Sequence, residues 1–238
     1  MGQPKIEKLK KWILRRICVR NNHLTEESLP FNLSALVVTA AYVWVYKIKA
    51  LRGYNEREHF LVLVGHRSRP DHVLPITYFG NCLVLCLTTI ERNDLVGEDG
   101  VVVAVEVIGN AIQRTCKAVL NGLENYLANL STMASERITG IVGSPKLRFY
   151  DINFGWGKPK QVKVISYTSV GAIFISERSD GEVGLEVGIA LEKFQMDAFA
   201  SLFENSLKDL PLKFMISFWS ILFVTCCESL NFCSSAEI

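Results

Sequence analysis

Asn153-Phe154-Gly155-Trp156-Gly157-Lys158-Pro159 stands where the texture of the chain changes. From Lys146 onward the chain is strand-like: Leu147–Ile152, Gln161–Thr168, Ala172–Ser176 and Val183–Leu191. Ser179-Asp180-Gly181 is expected to turn between the last two. Gly181, Gly184 and Gly188 fall in that alternating stretch, where a bulge or a close strand contact explains them. Glu192 to Leu207 returns to helix, with Phe194, Ala198, Leu202 and Phe203 as an apolar stripe.

The part before Lys146 is mainly helical. In residues 4–20, Ile6, Leu9, Ile13 and Ile17 recur at helical spacing while Lys5, Lys8, Lys10, Lys11, Arg15 and Arg16 face elsewhere. Such a basic face is most often simply solvated, and a membrane or an anionic cofactor is the other docking partner it would suit. Asn21 to Pro30 is a polar loop. Ser34 to Ala50 is apolar nearly all round, so a buried helix is expected. Phe60–Val64 and Leu83–Thr89 are apolar runs of strand length, separated by a loop from Pro70 to Gly80. A long helical signal spans Gly97 to Met133, with Gly109 or Gly122 as the place for a bend. Helices and strands alternate, which puts the fold in the α/β or α+β class.

Composition narrows the function. The 238 residues carry 26 Lys+Arg against 24 Asp+Glu, a formal net charge of +2, which gives no strong field for nucleic acid or acidic lipid. With 49% hydrophobic and 21% charged residues the chain can bury a real core. The 7 Cys form no spaced framework and no apolar secretory segment opens the sequence, so reduced thiols and a cytoplasmic location are expected. Phe214 to Cys227 is apolar and free of charge. A membrane segment within 212–227, a core segment, or a stretch foreign to the fold would each account for it.

Residue types alone reveal no active site. The 4 His (His23, His59, His66, His72) pair with no Cys at zinc spacing, so no metal centre is expected. Cys82 and Cys86 read as small hydrophobes on one strand face. No phosphate-binding loop, dinucleotide fingerprint or nucleophile elbow is present. His66 and Asp71 are close in sequence, yet Pro70 and the arginines between them indicate a turn.

Several segments together resemble one family. Asn153-Phe154-Gly155-Trp156-Gly157 resembles the Asp-Phe-Gly-Trp-Gly motif of the BAHD acyl-CoA-dependent acyltransferases of plants. Arg67-Ser68-Arg69-Pro70-Asp71 through Tyr78-Phe79-Gly80-Asn81-Cys82 resembles that family's upstream segment, in the same order. Ala41-Tyr42-Val43-Trp44, Gly184-x-Glu186-x-Gly188 and Met196-Asp197-Ala198-Phe199 agree as well. The likeness is closest to the malonyltransferase and anthocyanin or phenolic-glucoside acyltransferase branch.

The resemblance implies an α/β fold of chloramphenicol-acetyltransferase type, two-layered, mainly the second domain of a two-domain architecture. Residues 1–210 would be the C-terminal portion of such an enzyme, and 211–238 an apolar tail outside the family fold. It also implies acyl transfer from acyl-CoA, malonyl-CoA or similar, to a hydroxyl of a small phenolic glycoside, with acyl-CoA as co-substrate, no bound cofactor and no metal. Phe154, Gly155, Trp156 and Gly157 would shape a loop near the coenzyme A channel; Ser34, Lys146 and Trp156 would lie near coenzyme A or substrate.

The chain departs from the family pattern in three ways. No His is followed by Asp four positions later, so the family's general base is absent and no catalytic residue is assigned. Asn153 replaces the motif's Asp, whose structural partner would be Arg67 or Arg69; the change loses the charge-assisted part of that bond, about 1 kcal/mol. The tail is extra. A truncated chain without turnover of its own is therefore expected, or a non-catalytic fragment that associates with an intact relative.

Overall fold

The computed structural model describes residues 1–20, 28–51, 53, 56–65, 75, 77–117, 137–162 and 171–209. Helix α1 (Gln3–Arg20) follows the expected spacing: Ile6, Leu9, Ile13 and Ile17 are all fully buried. Helix α2 (Ala35–Ala50) starts at Ser34, whose hydroxyl accepts the Val37 N–H at 3.2 Å. That cap satisfies one of the donors a helix start leaves open. α2 is buried nearly all round, as its composition requires. Trp44 packs on Phe60 (ring centroids 4.8 Å apart), and the Tyr42 hydroxyl donates to the Phe203 carbonyl at 3.1 Å.

Five strands form one mixed sheet in the order β2-β1-β3-β4-β5. β1 (Arg57–Gly65) pairs antiparallel with β2 (Leu83–Glu91) and parallel with β3 (Ile138–Val142). β3 runs parallel to β4 (Ile173–Ser176), which pairs antiparallel with β5 (Glu186–Ile189). Alternation along the strands sends Phe60, Val62 and Val64, with Val84, Cys86 and Ile90, into the core. There they meet α1, α2, the short α3 (Arg92–Val96), α4 (Gly100–Lys117) and the closing α5 (Lys193–Asp209). Helices against one sheet make the two-layer α/β arrangement. A small second cluster, Ala172 and Phe174 with Val142, Phe149 and Ala190, sits apart from this core.

Three expectations need correction. Leu147–Ile152 is no strand: Pro145–Leu147 and Phe149–Asp151 are single 3₁₀ turns. Ser144 caps the first by accepting the Lys146 N–H at 3.2 Å, Pro145 favours a helical start, and Arg148 at φ 50° breaks the run. The helix expected from Gly97 begins at Gly100, because α3 ends at Val96 and the chain turns through Gly97. Gly109 does not bend α4; the Phe31 ring lies where its Cβ would stand, at 2.3 Å. Residues 118–136, which include Gly122 and the rest of that helical signal, lie outside the described residues, as do most of 161–168 and the tail from 210. Gly184 is the close strand contact anticipated: it bridges Gly2, and a Cβ there would come within 2.6 Å of the Met1 carbonyl.

A buried charge cluster fixes α2 to the N-terminal ends of the strands. Lys47 donates to Thr139 Oγ1 at 2.9 Å and to the Gly171 carbonyl. Burial lowers its pKa to about 8, against the pull of Glu58 in the opposite direction. Below that value the folded protein bears the full cost of a buried cation. As pH rises above it the folded form sheds a proton that the unfolded chain keeps, so stability grows with pH. Denaturant midpoints should therefore rise between about pH 8 and 10, by up to about 1.4 kcal/mol per pH unit, relative to a Lys47→Met variant. Equal slopes for the two proteins would refute this account.

Candidate functional site

β1, β3 and β4 run in one direction, so their C-terminal ends share one edge of the sheet. Among the described residues, the segments at that edge are 77–82 before β2, 143–162 and 177–185. In open α/β sheets this is the edge where ligands bind. Residues 77–82, the described end of the upstream motif segment, therefore lie at the same sheet edge as the segment that follows β3. The N-terminus of α2 points to the same edge, because its C-terminal turn is tied through Lys47 to the start of β3.

The Asn153–Gly157 loop is held by its own first residue. Asn153 Oδ1 accepts the N–H groups of Gly155 at 2.8 Å and Gly157 at 3.1 Å. That curl requires φ +99° at Gly155 and +98° at Gly157, which glycine alone adopts without strain. Across the base of the loop Lys158 pairs with Asp151 at 3.2 Å, and Arg148 joins from the other side at 2.6 Å. Lys158, then Arg148, hold the Asp151 carboxyl below the usual carboxylate range. Thus braced, the loop displays Phe154 and Trp156, which are 80% and 94% exposed. Phe79 of the upstream segment is fully exposed as well. The bonds predict a ladder of stability. Asn153→Ala should lose about 1–2 kcal/mol and Asn153→Asp should gain up to about 1 kcal/mol, read as shifts in urea midpoint. An alanine variant as stable as the parent would show that these bonds do not brace the loop.

Beside the loop lies an open cleft of about 650 Å³. Lys146, Arg148 and Lys158 line one wall; Glu177, Arg178 and Asp180 line the other. Arg178 donates to Asp180 and holds its carboxyl down to about 2. Glu177 accepts the Tyr150 N–H at 3.1 Å, while its second oxygen is buried without a partner. The Tyr150 hydroxyl donates to Glu186 at 3.3 Å and accepts the Val162 N–H at 3.3 Å. Burial raises its pKa, and Glu186 adds to the shift.

Of the residues singled out in the sequence, Lys146 lines this cleft, while the Asn153–Gly157 loop contributes no residue to its lining. Ser34 is placed by its capping role at the start of α2. Arg67 and Arg69 lie outside the described residues, as do His66, Asp71 and His72. His59 is a buried strand residue whose Nδ1 meets Thr89 Oγ1 at 2.8 Å. Glu177, Arg178, Tyr150 and Arg148 were not anticipated; nothing in their spacing marks them. Among the described residues no group of His, Cys, Asp and Glu is placed to hold a metal ion.

Fold and cleft define an α/β lobe that gathers polar, charged loops at one sheet edge, the edge where such sheets bind ligands. The Transferase family model matches residues 6–206, and the chain belongs to that family, the BAHD acyltransferases. It is 36% identical over 184 residues to a malonyl-coenzyme A:anthocyanin 3-O-glucoside-6''-O-malonyltransferase of Dahlia pinnata, covering 74% of this chain and 40% of that one. It is 33% identical over 224 residues to a coumaroyl-CoA:anthocyanidin 3-O-glucoside-6''-O-coumaroyltransferase of Arabidopsis thaliana, covering 87% and 45%. Among solved structures, vinorine synthase superposes with a TM-score of 0.54 at 18% identity, over 79% of this chain and 41% of that one. The Fusarium graminearum TRI101 complex with coenzyme A and deoxynivalenol gives 0.53 at 15%, over 84% and 46%. The chain thus spans less than half the length of the relatives it matches.

Proposed function

We propose that residues 1–210 act as the C-terminal lobe of an acyl-CoA-dependent O-acyltransferase. The acyl group, malonyl or hydroxycinnamoyl, passes from coenzyme A to a hydroxyl of a glycosylated phenolic or flavonoid. The observation that carries this reading is the match over residues 6–206 to a family whose similar members are named for that chemistry. In the reaction a base takes the proton of the acceptor hydroxyl, the oxygen adds to the thioester carbonyl, and the C–S bond breaks to release coenzyme A. Lys146, which lines the cleft, and Trp156 of the neighbouring loop would meet coenzyme A or substrate, with Ser34 serving from the start of α2. The base would be a His of a His-x-x-x-Asp motif, which these 238 residues do not contain, so a first lobe has to supply it. The cytoplasm is the expected setting, and 211–238 lies outside the catalytic fold. No helix among the described residues is long and apolar enough to cross a membrane.

A second reading draws on the exposed Phe79, Phe154 and Trp156: a non-catalytic partner that pairs with an intact relative through this aromatic edge. One experiment separates the two. The chain is co-expressed with the first lobe of a malonyltransferase relative, and free thiol release from malonyl-CoA is followed with a phenolic glucoside as acceptor. Transfer supports the catalytic lobe; a stable complex without transfer supports the partner role.

A further inference from the structure

The outer face of α1 belongs neither to the core nor to the motif edge. Successive helical residues lie about 100° apart. Lys5, Lys8, Lys11 and Arg15 therefore fall within an arc of roughly 120°, opposite the buried Ile6, Leu9, Ile13 and Ile17. The other cations of the helix are neutralised: Lys10 by Glu7 at 3.2 Å, Arg16 by Glu98 at 2.9 Å and Asp99 at 3.0 Å, and Arg20 by Glu106. None of the four outer cations has an acidic partner among the described residues. Glu7, the helix's one acidic residue, lies outside the arc and is occupied by Gln3 and Lys10.

Like charges three and four residues apart oppose helix formation, so an external anion would stabilise this face. The row extends for about 15 Å along the helix and is convex, which suits an extended anionic surface better than one small ligand. Trp12 is half-buried and engaged by Arg16, 5.6 Å from its ring centroid, so the row offers no stacking platform for bases. Val19, 82% exposed on the same arc, adds an apolar contact beside the charges.

We infer that the outer face of α1 docks on an anionic lipid surface, Lys5, Lys8, Lys11 and Arg15 meeting the headgroups. The apolar side of the helix stays in the core, so the contact is peripheral and sensitive to salt. Vesicle co-sedimentation of the 238-residue chain tests it. Phosphatidylcholine vesicles containing phosphatidylserine should retain the protein at about 50 mM salt and release it at about 500 mM. The Lys8→Gln/Lys11→Gln/Arg15→Gln variant should partition roughly 100-fold more weakly with unchanged helix content. A Lys8→Arg/Lys11→Arg/Arg15→Lys variant, which keeps the charges, should bind like the parent. Equal pelleting with pure phosphatidylcholine, no pelleting at low salt, or full binding by the glutamine variant would each overturn the inference. So would tighter capture by a single-stranded RNA in the same buffer.

Discussion

Arg92→Ala is expected to cost about 3–5 kcal/mol of folding stability, the largest structural effect of any single side chain considered. The guanidinium is 13% exposed and pairs with Glu58, which is wholly buried on β1. Its second nitrogen donates to the carbonyls of Ile48 at 3.0 Å and Leu51 at 2.5 Å, the open acceptors at the end of α2. One planar group therefore compensates a buried carboxylate and terminates the central helix at once. Its removal leaves the wholly buried Glu58 side chain without its ion-pair partner. Urea denaturation of Arg92→Ala, Glu58→Gln and the double variant forms a thermodynamic cycle. Glu58→Gln should recover at least half of the Arg92→Ala loss; strictly additive effects would contradict the pairing. Arg92→Lys should rescue only in part, because an ammonium cannot reach all three acceptors in one plane.

That cluster was invisible in the sequence. Lys47, Glu58 and Arg92 belong to three different elements, and a charged residue carries no mark of its future partner. The only trace is a lysine inside the helix Ala35–Ala50, which is otherwise apolar on most sides. The helices were legible because their signal is local: Ile6, Leu9, Ile13 and Ile17 announce a buried face without reference to any other segment. β1 and β2 were legible as apolar runs. β3 was missed because five residues, two of them Thr139 and Gly140, make a weak pattern, and its burial comes from β1 and β4 on either side. Leu147–Ile152 misled in the opposite direction: a short apolar run does not distinguish a strand from successive 3₁₀ turns. Of the candidate site, the Asn153–Gly157 loop was recognisable through its family likeness and its glycines. The facing wall, Glu177 to Asp180, belongs to the connection between β4 and β5 and takes its place only when the sheet forms.

The second large effect concerns catalysis. Without a general base to deprotonate the acceptor hydroxyl, the rate should fall by about 10²–10⁴ relative to a complete enzyme. The 238 residues alone should therefore release no thiol from malonyl-CoA above background in the presence of a phenolic glucoside. The braced loop and cleft would still supply binding surface, and the missing group is specific, a His followed by Asp four positions later. Supplying it on a separate first lobe should restore acylated glucoside, and the same lobe with that His changed to Ala should not.

The most direct measurement is the rate of acyl-glucoside formation by the chain paired with a relative's first lobe. The rate should lie at least about 10² above that of either lobe alone and be lost when the first lobe's His is removed. A well-formed pair with no gain in rate, or full activity from the 238 residues by themselves, would contradict it.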